Sequence, residues 1–245
     1  LDHSVKEKIQ QELQLMVPFA RFYFMIPALL VLHPSRNSIT MSELMYQCSK
    51  QMFVHNLKNL AKILRKAAGD AKARGIDPAV LLNARLSPDM FPLVRQVQVA
   101  TDQAKGSCSR LAGVDNPVFV DDETTFAELD ARIKRTLDFL GGLKASQFAG
   151  SDARVIVMQM PFGTLTFTGL DYLNGWALPN FYFHYAAAYN ILRHNGVGLG
   201  KPDFLGAAPG VKMKGKIAKM MGVKAPGKSS GKSGGKAAAK AKKKR

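Results

Sequence analysis

Two polar side chains stand one turn apart in a stretch that is otherwise apolar. Steps of four and three through the last hydrophobic segment pick out Leu173, Ala177, Asn180, His184, Ala187 and Ile191, which places Asn180 and His184 on the inward seam of a helix. An i, i+4 pair on one helix face can hold a single metal ion, and neutral imidazole suits zinc or nickel. His184 and Asn180 are therefore the candidate metal ligands, although an uncharged amide is a weak donor to either ion. The competing expectation is a buried histidine satisfied by a hydrogen bond to Asn180, a tyrosine or the backbone.

The other chemistry-bearing residues point elsewhere. His3 and His33 lie near the start of the chain. His55 falls roughly 140° from the centre of its helix's apolar stripe at ~100° per residue, which predicts a surface role. His194 sits in a last helical turn, where a cation favours the helix dipole. Cys48 and Cys108 form no C-x-x-C pair, and Cys108 falls on a core seam. Gly222 to Ser229 spells a phosphate-loop pattern, but its flanks are Gly, Ser and Lys rather than a strand and a helix, so the match reads as chance. The net charge is +17, of which residues 207–245 hold +13 from twelve Lys, one Arg and no acid. That segment cannot bury enough apolar surface to order itself and is expected to be a disordered, lysine-rich tail. With no aromatic residue in 207–245 to stack on bases, it would bind nucleic acid through phosphates alone. Residues 211–223 could form a short basic amphipathic helix, with solvated coil as the default.

The elements that must position these groups are mostly helical. Phe53, Leu57, Leu60, Leu64 and Ala67 form one stripe in a helix running from Ser42 to Arg74 and stopped by Gly75. Asp77-Pro78 opens a short segment through Asn83. Ser87-Pro88 repeats that start signal ahead of a seam through Met90, Val94, Val97, Thr101, Ala104, Cys108 and Leu111, closed by Gly113. Thr125 and Glu128 make a capping box for a third stripe of Phe126, Leu129, Ile133, Leu137 and Leu140. Residues 154–160 and 164–168, separated by Pro161-Phe162-Gly163, read as one β-hairpin. The fourth helix, from Thr168 to Gly196, is apolar nearly all round and is expected to be the most buried element, with a kink at Pro179. The fold class is thus all-α, a four-helix bundle with one hairpin between helices three and four.

Three segments result: a doubtful extension over 1–40, a helical-bundle domain over 41–206, and the tail over 207–245. The run 16–32 is about one turn short of the ~20 residues a spanning helix needs, and it contains Arg21, Pro18 and Pro27. It reads as an extension ahead of a start at Met41 rather than as a membrane anchor. Two isolated thiols fit a reducing compartment, cytoplasmic or nuclear. Oligomeric state is open, a homodimer included.

Several stretches together resemble a known family: 81–93 continuing into 95–100, 124–129, 178–184, 191–196 and 203–206. They are similar to a helical domain-of-unknown-function family grouped with the DinB/YfiT-like superfamily, whose members are regarded as metalloenzymes. The resemblance covers about 41–206 and implies a four-helix bundle. It also implies a three-histidine metal site, two ligands being H-x-x-x-H on the last helix, and in some members a thiol-dependent transfer. Aligned on Leu192-Arg193, that motif falls on Asn180 and His184, so this chain reads N-x-x-x-H, and the second helix offers no histidine between Pro88 and Gly113. The expectation is a non-enzymatic ligand-binding or interaction module with a degenerate metal site. The alternatives are a metal- or thiol-dependent transferase, and a nucleic-acid-associated protein acting through its tail.

Overall fold

The structure, a computed structural model, describes residues 39–220 apart from 162 and 208. The extension's hydrophobic run, the phosphate-loop match and the tail beyond 220 lie outside the described residues. Contacts divide the chain into Leu1–Thr40 and Met41–Arg245, and every element named below belongs to the second unit.

The described chain is mostly helical with one small antiparallel sheet. Helix α1 (Met41–Tyr46) runs through a widened π turn (Gln47–Gln51) into α2 (Met52–Ala73). A short α3 (Pro78–Asn83) is capped by the Asp77 side chain, which accepts from the Ala79 amide at 2.9 Å. Next come α4 (Leu93–Ala112) and α5 (Phe126–Gly142). Strands β1 (Val155–Met160) and β2 (Gly163–Thr168) pair in register, Ile156 opposite Phe167 and Met158 opposite Leu165. Then α6 (Gly169–Tyr172) passes through a second π turn (Leu173–Ala177) into α7 (Leu178–His194). Two short helices, α8 (Lys201–Leu205) and α9 (Lys216–Met220), come last. Among the long helices, α4 packs most extensively on α7, α5 lies against both α2 and α4, and α2 also touches α7.

The sequence stripes become the core. Phe53, Leu57, Leu60, Leu64 and Ala67 are all fully buried, as are Leu129, Ile133 and Leu140. The Thr125–Glu128 capping box is present, with both reciprocal hydrogen bonds made. The hairpin leans on the helices through Ile156, Met158 and Phe167, and turns Val155 and Val157 outward.

Two expectations are corrected, and the turn at Pro179 is specified. The second long helix starts at Leu93, not at Ser87-Pro88. Helical conformation is disfavoured at the residue before a proline, and no helix runs through Phe91-Pro92. Ser87 and Asp89 instead close a turn, with the Met90 amide on the Ser87 carbonyl at 3.0 Å. Met90 and Val94 are consequently only half-buried, and Leu93 takes the core position. Nor is the fourth helix the most buried. Fourteen of the twenty α4 residues are buried against seven of seventeen in α7, where Phe183 is 58% exposed. The small side chains of α4, among them Ala100, Ala104, Gly106, Ser107 and Cys108, let neighbours approach on all sides. At Pro179 the change is a widened turn: the Leu178 amide bonds the Leu173 carbonyl five residues back, just ahead of the proline ring.

Candidate functional site

The imidazole of His184 is buried between α7 and the start of α4. Its Nδ1 lies 2.7 Å from Gln96 Oε1, while the Gln96 amide nitrogen donates to the Phe91 carbonyl at 3.0 Å. That second bond turns the Gln96 oxygen toward the ring, so Nδ1 carries the proton and Nε2 keeps the lone pair. Phe91 stacks on the ring and Phe183 meets it edge-on. Burial, helped by the charge of Arg95, holds the imidazole below its ordinary value and neutral near neutral pH. Asn180 is half-buried, and its amide donates back to the Trp176 carbonyl at 2.8 Å. The two expected ligands thus lie one turn apart but make separate bonds. The histidine's partner comes from α4, not from Asn180, a tyrosine or the backbone. Among the described residues no three His, Cys, Asp or Glu side chains gather into a metal-binding cluster.

A second polar centre is charged. Arg132 is fully buried and donates to Thr101, the Val120 carbonyl, Asp102 and Glu123, with Asp121 at 2.9 Å. Glu123, itself 2% exposed at the side chain, also accepts from Gln98 and Arg135. Lys105 donates to Asn116 and the Pro117 carbonyl, and it shares the Phe119 ring with Arg132 and Arg135. Burial pulls the Lys105 ammonium below its ordinary value, and Asp102 opposes that pull. These cations tie the loop 114–124 onto α4 and α5, and a buried charge set is tolerated only when matched in this way.

The third feature is a cavity of about 700 Å³ where the first π turn and α2 meet the chain after α7. Its walls include Met52, Tyr182, Phe204, Leu205, Pro209 and Met213, with Cys48, His55 and Asn56 among the polar contributors. The segment forming the far wall is docked on α2 and α7 by several bonds. Tyr185 donates to the Phe204 carbonyl at 2.6 Å, with its ring stacked 4.2 Å from Phe204, and Lys66 pairs with Asp203. His55 Nε2 lies 2.7 Å from the Leu205 carbonyl, which Asn59 also approaches at 3.1 Å. A carbonyl can only accept, so Nε2 carries the His55 proton. Gly206 turns the chain away with φ +59°, and a Cβ there would lie 2.3 Å from the Asn59 side chain.

The family described as "Domain of unknown function (DUF1993)" matches residues 45–205. The chain belongs to that family. The crystal structure of a DinB family member protein from Shewanella denitrificans is similar, at 42% sequence identity and a TM-score of 0.65, over 71% of this chain and 97% of that one. No curated protein matches.

For this DUF1993 chain the family resemblance and the helical reading of the sequence agree with the structure. The sequence also placed His55 off the core stripe, where it is half-buried and holds the Leu205 carbonyl. Cys108 is fully buried, and burial pushes its thiol far up, in keeping with inert packing. The sequence reading missed Gln96, Arg132 and the cavity. Gln96 gave no signal, since it lies off the seam read through Val94, Val97 and Thr101 and is nonetheless buried in the helix that starts at Leu93. The cavity gave none either, because its walls come from three separate parts of the chain. Among the described residues no helix is long and apolar enough to cross a membrane.

Proposed function

We propose that the domain is a four-helix bundle that binds a small, largely apolar organic ligand in the cavity between the first π turn, α2 and residues 204–206 and 209–213. The observation that carries this reading is the cavity itself. Its volume of about 700 Å³ lies within the range of small-molecule sites, and its apolar walls with a few polar groups have their usual character. A π turn within a helix also often marks a functional position, and the Gln47–Gln51 turn forms one wall.

The metal chemistry implied by the superfamily does not fit this donor set. His184 presents one lone pair, Asn180 an uncharged amide already donating to Trp176, and Gln96 a second amide. Two neutral amides do not replace two imidazoles as ligands for zinc or nickel. The reading is therefore of a non-enzymatic module whose metal site has degenerated into an interhelical hydrogen bond.

The test is titration of the full chain with the uncharged dye Nile red. Saturable one-to-one binding is expected, abolished by Met52→Trp, which fills the cavity, and unchanged by His184→Gln. Binding that survives both Met52→Trp and Met213→Trp would remove the cavity from the account.

A second reading rests on the charge of 207–245. With thirteen cations and no acid, this segment would hold nucleic acid through phosphates. Engagement of about six would lower affinity on the order of a thousandfold between 50 and 200 mM salt. A chain ending at Gly206 should lose that binding; equal binding by both forms would sink the idea.

A further inference from the structure

The distribution of charge around the cavity bears on which occupant it suits. None of the thirteen described residues lining it is Asp, Glu, Lys or Arg, although 22% of the whole chain is charged. Several polar groups in the wall already have partners. The Asn56 amide donates to the Met52 carbonyl and to Tyr182 Oη, and the Leu205 carbonyl accepts from His55 and Asn59. An ionic group buried there would lose its water without gaining a counter-charge, a cost of many kcal/mol. The interior therefore asks for hydrocarbon, and any charge on the ligand must stay at the mouth.

The chain that borders one wall is cationic. Residues 211–214 are not helical, and Met213 is half-buried in the cavity wall between the exposed Lys212 and Lys214. Exposed Lys216 follows at the start of α9. No acid occurs in the sequence after Asp203, which is itself engaged by Lys66 and by the Gly200 amide. Along the opposite wall, Glu43 accepts from the Gln47 amide, and Lys50 lies over the Tyr46 ring and donates to its hydroxyl. The lysines on either side of Met213 are thus exposed next to the cavity wall, with no carboxylate from their own segment to neutralise them.

We propose that the ligand is a single-chain anionic amphiphile, a long-chain carboxylate whose alkyl tail lies among Met52, Tyr182, Phe204, Leu205 and Met213 and whose carboxylate stays hydrated at the mouth near Lys212 and Lys214. This rests on the cavity reading above and specifies it. The unbranched thioethers of Met52 and Met213 conform to a flexible chain, so tail length is loosely selected. The head group is discriminated by charge rather than by shape, because exposed ammonium groups hold a carboxylate without fixed geometry.

The experiment uses the full chain and displacement of Nile red by three compounds with the same tail: decanoate, 1-decanol and decyltrimethylammonium, each below its aggregation concentration. Decanoate should displace the dye at about three- to tenfold lower concentration than decanol, the range expected of two exposed ion pairs. The cation should be weaker than either. In Lys212→Gln/Lys214→Gln the advantage of decanoate over decanol should vanish while decanol is unaffected. Equal potency of decanoate and decanol in the native chain, with saturable dye binding intact, overturns the head-group assignment and leaves the cavity reading standing. Dye binding that survives Met52→Trp and Met213→Trp overturns both. Decanoate uptake that fails to saturate near one per chain means adsorption to the basic tail, and also overturns the proposal.

Discussion

The two polar regions of this domain treat burial in opposite ways. Around Arg132 the chain buries full charges and matches each of them. The guanidinium meets Asp102, Asp121, Glu123, Thr101 and a carbonyl, and Glu123 accepts from Gln98 and Arg135 as well as from Arg132. In the cavity lining the chain keeps Asp, Glu, Lys and Arg out and leaves space. A matched charge network stabilises one arrangement and has little capacity left for a ligand. An uncharged hollow with adaptable thioethers does the reverse. The contrast separates the part of the molecule that sets its shape from the part with room for something else.

The largest loss is expected in the first region. Arg132→Met leaves Glu123 buried with fewer partners and should cost about 3–5 kcal/mol of stability, read from denaturant unfolding. A loss below ~1 kcal/mol would mean that water reaches the network and that the contrast with the cavity is false.

Tyr185→Phe tests how the second region is held. It removes the hydrogen bond to the Phe204 carbonyl while keeping the ring stack. The expected cost is about 1–2 kcal/mol, together with weaker Nile red binding, because the far wall loses its anchor. Lost stability with unchanged dye affinity would show that the wall is positioned by packing alone.

A smaller effect concerns His184, whose buried imidazole belongs to neither region. Burial and Arg95 depress its folded value, so below about pH 6.5 the unfolded chain binds more protons than the folded one, and stability falls as pH falls. His184→Leu should flatten that part of the profile. Thermal unfolding of both proteins between about pH 7 and about pH 5 checks this; parallel profiles would place the proton uptake elsewhere.

The smallest effect is chemical rather than energetic. Cys48 is exposed and Cys108 is buried, so a thiol reagent should modify one cysteine per native chain and two after unfolding. Ligand in the cavity should slow the first reaction, since Cys48 lines it.

Local sequence was sufficient for the helices, their caps and the hairpin. The 3.6-residue period of Phe53 to Ala67, the Asp77-Pro78 and Thr125–Glu128 caps, and the alternation around Pro161 to Gly163 depend on neighbours within a few residues. The same local logic misplaced the start of α4, because Ser87-Pro88 reads as a start signal although Phe91-Pro92 follows it and ends any helix begun there. It also overestimated the burial of α7. Hydrophobicity says that a residue can be buried, not that a partner is available to cover it, and none of the described residues covers Phe183.

Apolar faces, helix ends, the packing role of Cys108 and the concentration of charge after residue 206 could all be read along the chain. Those are properties of single segments and need no knowledge of how segments turn toward one another. Helix packing was required for the rest. It brings His184 to Gln96, eighty-eight residues away, encloses Arg132 instead of leaving it solvated, and gathers residues 47–56, 182, 204–206 and 209–213 around a cavity. Each of these depends on the rotation and spacing of packed helices, which the period of a single helix leaves undetermined.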